Sequence, residues 1–198
     1  MPEHKNLTGT DLHEPKGVAS ASENQIYVAD GAGSGAWTYI PQGFGFYADN
    51  ASAQTFNTTA AKISINGSAA NTETSYLPPE IRASGDLWDT SNDKITPIAL
   101  GDSYTFRMDI PVTAKTGSPN FIYVEIDIGG GATPSTVVAT RTISVPGSVP
   151  YTINFAFPLF VSSDALANGF QFFFSCDTGT FDITAPDILI SRISSGAL

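Results

Sequence analysis

The chain has 198 residues, 41% of them hydrophobic and 11% aromatic, which is room for one ordinary domain and a short extension. Charged residues are 14%, and 20 Ser, 21 Thr, 18 Gly and 13 Pro make the polar surface largely hydroxyl and the turns frequent. That composition describes an all-β protein and argues against a coiled coil, a helical bundle or a disordered acidic chain. The net charge is −10, no Lys or Arg lies between Val18 and Ala61, and Arg192 is the only one after Arg141. An anionic surface without a basic stripe speaks against binding nucleic acid or anionic lipid through counterion release.

Residues 1–24 show almost no apolar periodicity and carry His4, His13, several charges and Pro2 and Pro15. They read as an extended arm that cannot form a core alone. Its few apolar anchors, Leu7, Leu12, Pro15 and Val18, with His4 and His13, are the candidate groups for attachment to a partner surface. The polar start Met1-Pro-Glu-His-Lys5 has no signal-peptide core, so the expected product is a soluble protein made in a cytoplasm.

Residues 25–42 predict a β-hairpin linker. Gln25-Ile-Tyr-Val-Ala-Asp30 and Ala36-Trp-Thr-Tyr-Ile40 flank Gly31-Ala-Gly-Ser-Gly35. Neither this glycine cluster nor Gly129-Gly-Gly131 is followed by a helix, so neither predicts a phosphate loop.

Residues 43–198 predict nine or ten strands and no convincing helix, with Ser163–Asn168 at most one turn. Gly43–Ala48 is expected to place Phe44 and Phe46 on one face. Ile63 and Ile65 point inward. Leu87-Trp-Asp89 and Lys94-Ile-Thr96 flank a second hairpin turn. Tyr104, Phe106, Met108 and Ile110 alternate with polar residues, and so do Ile122, Val124, Ile126 and Ile128. Strands over 137–145, 151–160, 170–176 and 187–193 complete the set. The expected architecture is a two-sheet antiparallel jelly-roll sandwich. Phe170, Phe172 and Phe174 share one face of their strand and Phe173 lies on the other. A sandwich strand needs one buried face, so Phe173, with Trp37 and Tyr39 of the hairpin, is a candidate interface residue between subunits; the bland alternative is aromatics lying under loops.

Two resemblances extend this reading. Leu87-Trp-Asp-Thr-Ser-Asn-Asp-Lys-Ile-Thr-Pro97, followed by Gly101 and Tyr104-Thr-Phe-Arg-Met108, resembles the trimeric jelly rolls of the tumour necrosis factor and complement globular-head type. The resemblance implies a homotrimer whose aromatic-rich faces meet on a three-fold axis. The chain departs from that pattern in having no collagen repeat and a single cysteine. His4-Lys-Asn-Leu-Thr-Gly-Thr-Asp-Leu-His-Glu-Pro-Lys-Gly17 and Gln25-Ile-Tyr-Val-Ala-Asp-Gly-Ala-Gly-Ser-Gly-Ala-Trp37 resemble the N-terminal module of many tailed-phage virion proteins. These are head decoration proteins, head fibres and some tail fibres. The resemblance implies a virion part on the capsid surface, with the module as anchor, the jelly roll as displayed body, and the major capsid protein as partner.

An enzyme is not expected. Both histidines lie in the arm, so the body has no Ser-His-Asp or Cys-His arrangement and no histidine zinc site. Cys176 reads as a buried structural thiol, and no metal or cofactor is expected. Two carboxylates suffice for glycoside hydrolysis, but Glu125 and Asp127 read as outward residues of an alternating strand. Asp86, Asp89 and Asp93 bracket a turn where aspartate is favoured, with a calcium ion as the minor reading. The competing function is a tail fibre or a receptor-binding knob for a host-surface glycan, with Trp88 and Tyr151 as the sugar-stacking candidates.

Overall fold

The computed structural model describes residues 42–83, 85–117, 119–145 and 150–194, the hairpin strands at 25–29 and 35–39, and residues 19, 21, 22 and 32. The chain divides into two units, Met1–Ile40 and Pro41–Leu198. In the first, β1 (Gln25–Ala29) and β2 (Gly35–Tyr39) form an antiparallel hairpin, with Tyr27 opposite Trp37. Their rings meet edge to face with centroids 5.5 Å apart, a cross-strand aromatic pair of the kind that fixes register.

The second unit begins with β3 (Gly43–Ala48), β4 (Gln54–Phe56) and β5 (Ala61–Lys62), then helix α1 (Pro79–Ala83). A small hairpin follows, β6 (Trp88–Asp89) with β7 (Lys94–Ile95), then β8 (Ser103–Ala114), β9 (Phe121–Asp127), β10 (Val137–Ser144) and β11 (Tyr151–Phe160). Helix α2 (Ser163–Asn168) leads to β12 (Gln171–Cys176), β13 (Phe181–Ile183) and β14 (Asp187–Ser194). Both helices depart from the sequence expectation. They are short and non-amphipathic, and α2 is set by its ends: the Ser162 hydroxyl accepts from Ala165 N–H and Gly169 closes it at φ 79°.

Two antiparallel sheets form the sandwich. One has the order β10-β9-β12-β5. The other is built on β8, which pairs with β11 along one side and with β14 and then β13 along the other; β3 and β4 extend it. The chain passes between the sheets at β4–β5, β8–β9, β10–β11, β11–β12 and β12–β13, which is the winding of a jelly roll. Phe106 of β8 meets Phe172 of β12 edge to face at 4.8 Å, so the sheets interlock through aromatic rings.

The alternation in β8 and β9 is observed as expected: Tyr104, Phe106, Met108, Ile110, Ile122, Val124 and Ile126 are all buried. Ile63 and Ile65 are buried as well. Phe44 and Phe46 share one face of β3 as expected, and it is the outer one. Gly45 and Tyr47 point inward, and Phe44 is exposed and stacks on Tyr76 at 4.8 Å. Tyr47 wins the core position because its hydroxyl accepts from Leu87 N–H at 3.0 Å, which satisfies its one polar atom there. A buried ion pair joins the sheet to the loop before β8. Arg192 reaches Asp102 at 2.8 Å, and the other Asp102 oxygen accepts from Tyr104 Oη at 2.8 Å. Among the described residues no helix is long and apolar enough to cross a membrane.

Candidate functional site

The arm residues His4, Leu7, Leu12, His13, Pro15 and Val18 lie outside the described residues. Trp37 is half-buried on the hairpin, and Tyr39 stands opposite Gln25 in the strand register. Phe173 is corrected. It is fully buried within one chain, so it needs no neighbouring subunit to cover it. Phe170, Phe172 and Phe174 are buried too, because both faces of β12 are covered. Trp88 is also corrected. It is 2% exposed, packs on Phe172, and its Nε1–H donates to Ile65 O at 2.8 Å, so no ring face is free to stack a sugar. Tyr151 is half-buried. Its hydroxyl is buried with no partner among the described residues, and burial pushes its pKa up.

The acidic candidates separate into different roles. Asp89 accepts from the N–H groups of Ser91 and Asn92 and from Asn92 Nδ2, and these bonds hold its carboxyl below the usual range against its burial. Asp93 accepts from Ser64 Oγ at 2.8 Å and adopts φ 50°. Asp89 is therefore occupied by its own turn, and one Asp93 oxygen by the neighbouring segment at Ser64 and Ile65. Among the described residues no group of three His, Cys, Asp or Glu side chains is gathered for a metal. Asp127, expected on a solvated face, is fully buried and accepts from the backbone N–H groups of Gly129, Ser135 and Thr136. It is the post around which the glycine-rich loop folds. Cys176 is a buried free thiol, pushed up by burial and by Asp177.

Three surface features remain. The first is the open flank of the sandwich. Among the described residues β10 pairs only with β9, and β11 only with β8, so both are edge strands. They lie on the same flank, because the Arg141 guanidinium of β10 sits 5.9 Å from the centroid of the Phe155 ring of β11. Two adjoining clefts of 310 and 280 Å³ share Arg141. One runs along Ala139, Phe155 and Phe157, the other along Ile143, Tyr151 and Ile153. Val137, Val138 and Phe157 are exposed here, and Phe160, at the end of β11, is 68% exposed. Long exposed edges with apolar side chains are unusual on an isolated molecule. Sequence reading missed the flank because its signal is weak: Val137-Val138 and Leu159-Phe160 are adjacent apolar pairs that break the alternation.

The second is the outward face of the larger sheet. Asn154, Asp109 and Asp187 stand opposite one another on β11, β8 and β14. Arg107 binds Asp109 at 2.8 Å, and Asn154 donates to the other Asp109 oxygen. Asp187 keeps one buried oxygen with no hydrogen bond among the described residues. Burial first, and the neighbouring Asp109 second, push its pKa up, with Arg107 opposing.

The third is a polar cleft of 340 Å³ lined by Tyr47, Thr72, Thr74, Asp86, Asp89 and Thr90 among others. Asp86 has φ 68°, its backbone N–H donates to Ile81 O at 3.3 Å just past α1, and its pKa is raised by burial with Arg82 opposing.

No family model matches the chain. No curated protein matches it either. Solved structures do. An Eiger tumour necrosis factor from S. frugiperda is 10% identical, with TM-score 0.48, over 80% of this chain and 97% of that one. The PRD1 vertex protein P5 is 10% identical, with TM-score 0.43, over 88% and 84%. The cowpea mosaic virus top component is 15% identical, with TM-score 0.30, over 82% and 90%. The jelly-roll architecture of this all-β chain stands on its own strand order.

Proposed function

We propose that the chain is a structural virion protein of a tailed bacteriophage, a homotrimeric capsid decoration protein or head fibre that stabilises the shell. The observation that carries the reading is the open flank between β10 and β11, where two edge strands expose Val137, Val138, Phe157 and Phe160 side by side. Such a surface is suited to a second copy of the chain. It replaces Phe173 as the contact between subunits. The N-terminal string from His4 to Trp37 supports the virion assignment and gives the arm the role of anchor.

The function is mechanical. A trimer presents three arms, and linked contacts to neighbouring copies of the major capsid protein gain avidity through effective concentration. Binding the assembled shell and not free subunits stabilises the shell by mass action. No catalytic step is assigned, and the body needs no cofactor.

Light scattering is expected to give about three times the 20.8 kDa subunit mass. Deleting residues 1–24 is expected to leave a folded trimer that no longer binds capsids stripped of this protein. A truncated trimer that decorates stripped capsids as well as the full chain would transfer attachment to the jelly roll. Binding to tails and not to heads would make the chain a tail fibre.

A further inference from the structure

We propose that the subunit contact is head-to-tail, with the β10–β11 flank of one copy seated on the outward β3–β14 face of the next. This rests on the trimer reading above and deepens it by naming the second half of the contact.

A flank that meets the same flank of another copy forms a two-fold contact, which closes at two subunits. A ring of three needs two different patches on every copy. The flank is also unsuited to meeting itself. Its two clefts share the Arg141 guanidinium, and among the described residues no Asp or Glu lines either one. Arg141 makes no ion pair among those residues. Flank on flank would therefore bring two unpaired cations into one apolar contact.

The larger sheet supplies the other patch. On its outward face Phe46 stands opposite Leu189, and both are half-buried. Phe44, two residues along the same face, stacks on Tyr76, yet the two rings keep 36% and 62% exposure. A stacked aromatic pair beside two further apolar side chains is area that a partner would cover. The charges of this face are opposite in sign to those of the flank. On the rungs next to Phe46, the two carboxylates of Asp109 and Asp187 stand against the one guanidinium of Arg107. The flank carries a cation and no carboxylate, so flank on face is favoured over flank on flank, in specificity more than in affinity. The exposed rings of Phe44 and Tyr76 also accept a guanidinium without a carboxylate, which gives Arg141 a place in the contact.

The test uses full-length chains carrying Phe157→Lys, on the flank, and Tyr76→Lys or Phe44→Lys, on the face. Each is measured by sedimentation velocity, alone and mixed. All three positions are exposed, so the circular dichroism of each variant is expected to match wild type. Alone, each variant is expected to fall from about three subunits to one. Mixing Phe157→Lys with Tyr76→Lys is expected to give a 1:1 complex of about twice the 20.8 kDa subunit mass. In that mixture the intact flank of the Tyr76→Lys chain meets the intact face of the Phe157→Lys chain, and the other contacts stay broken. Face variants that both keep the wild-type mass overturn the head-to-tail contact, leave the trimer reading standing and leave the face to the capsid as occupant. A mixture that stays monomeric overturns it too. Phe157→Lys with the wild-type mass takes the flank out of the contact and overturns the proposal whatever the face variants do. A wild-type chain that is itself monomeric removes the trimer reading on which the proposal rests.

Discussion

Phe173 shows how much a single side chain depends on what lies over it. Read from the strand, it sits on the face opposite Phe172 and Phe174. In the folded chain it is fully buried, opposite Lys62 on one neighbour and Glu125 on the other. Phe173→Ala is therefore expected to lower stability by about 3–5 kcal/mol in urea unfolding, as for a buried core ring. A variant that unfolds normally yet loses its oligomeric state would return Phe173 to the interface. Two aspartates make opposite contributions with pH. The Thr55 hydroxyl and Lys115 hold the Asp182 carboxyl below its ordinary range. Its folded pKa lies under the unfolded one, so its contribution is present above about pH 4 and is lost as pH falls through the folded value. Asp187 is the reverse. Burial raises its folded pKa, so its charge opposes folding at neutral pH, and protonation relieves that penalty as pH falls. Asp187→Asn is expected to raise Tm at pH 7 and to have no effect below about pH 3, where both states are protonated. Asp182→Asn is expected to lower Tm at pH 7 and to converge on wild type only as pH falls through the lowered folded value. Thermal melts of the two variants against pH check both signs.

At the scale of elements, β8 and β9 were legible because one apolar face and one polar face alternate over their length. β3 was not. Phe44 and Phe46 are the larger apolar pair by sequence, yet Tyr47 takes the core and Gly45 shares its face. A Cβ on Gly45 would stand 2.7 Å from the Tyr47 ring, which is pinned by its bond to Leu87. Gly45→Ala is therefore expected to cost about 1–3 kcal/mol, the range for overpacking a core, as measured by denaturant midpoint. The loop between β9 and β10 has a similar internal logic. Asp127→Ala removes the acceptor for three backbone N–H groups and is expected to cost about 3 kcal/mol. Hydrogen exchange would locate the loss at 129–136, and protection unchanged there would refute the role. This arrangement could have been suspected from an Asp two residues before a Gly-Gly-Gly run, but alternation alone pointed Asp127 outward.

For the whole molecule, the flank between β10 and β11 is the surface that separates a solitary jelly roll from an assembling one. Val138→Lys and Phe157→Lys place charges on exposed positions, so the monomer fold is expected to survive while the assembly weakens. Light scattering is expected to show a shift from about three subunits towards one, with Tm measured on the same samples. A wild-type mass in both variants would move the subunit contact elsewhere, the outward face carrying Asp109 and Asp187 being the next to test.

The sequence by itself determined the class, the hairpin, the second hairpin at Trp88–Ile95 and the inward residues of the long strands, because composition and period-2 alternation are local. Tertiary structure decided which apolar residues are covered twice, which strands are edges, and which aspartates are consumed by their own loops. Those outcomes depend on contacts such as Ile65 O with Trp88 and Leu87 N–H with Tyr47, made by residues 23 and 40 positions apart. No periodicity within a strand encodes what another part of the chain will place above it.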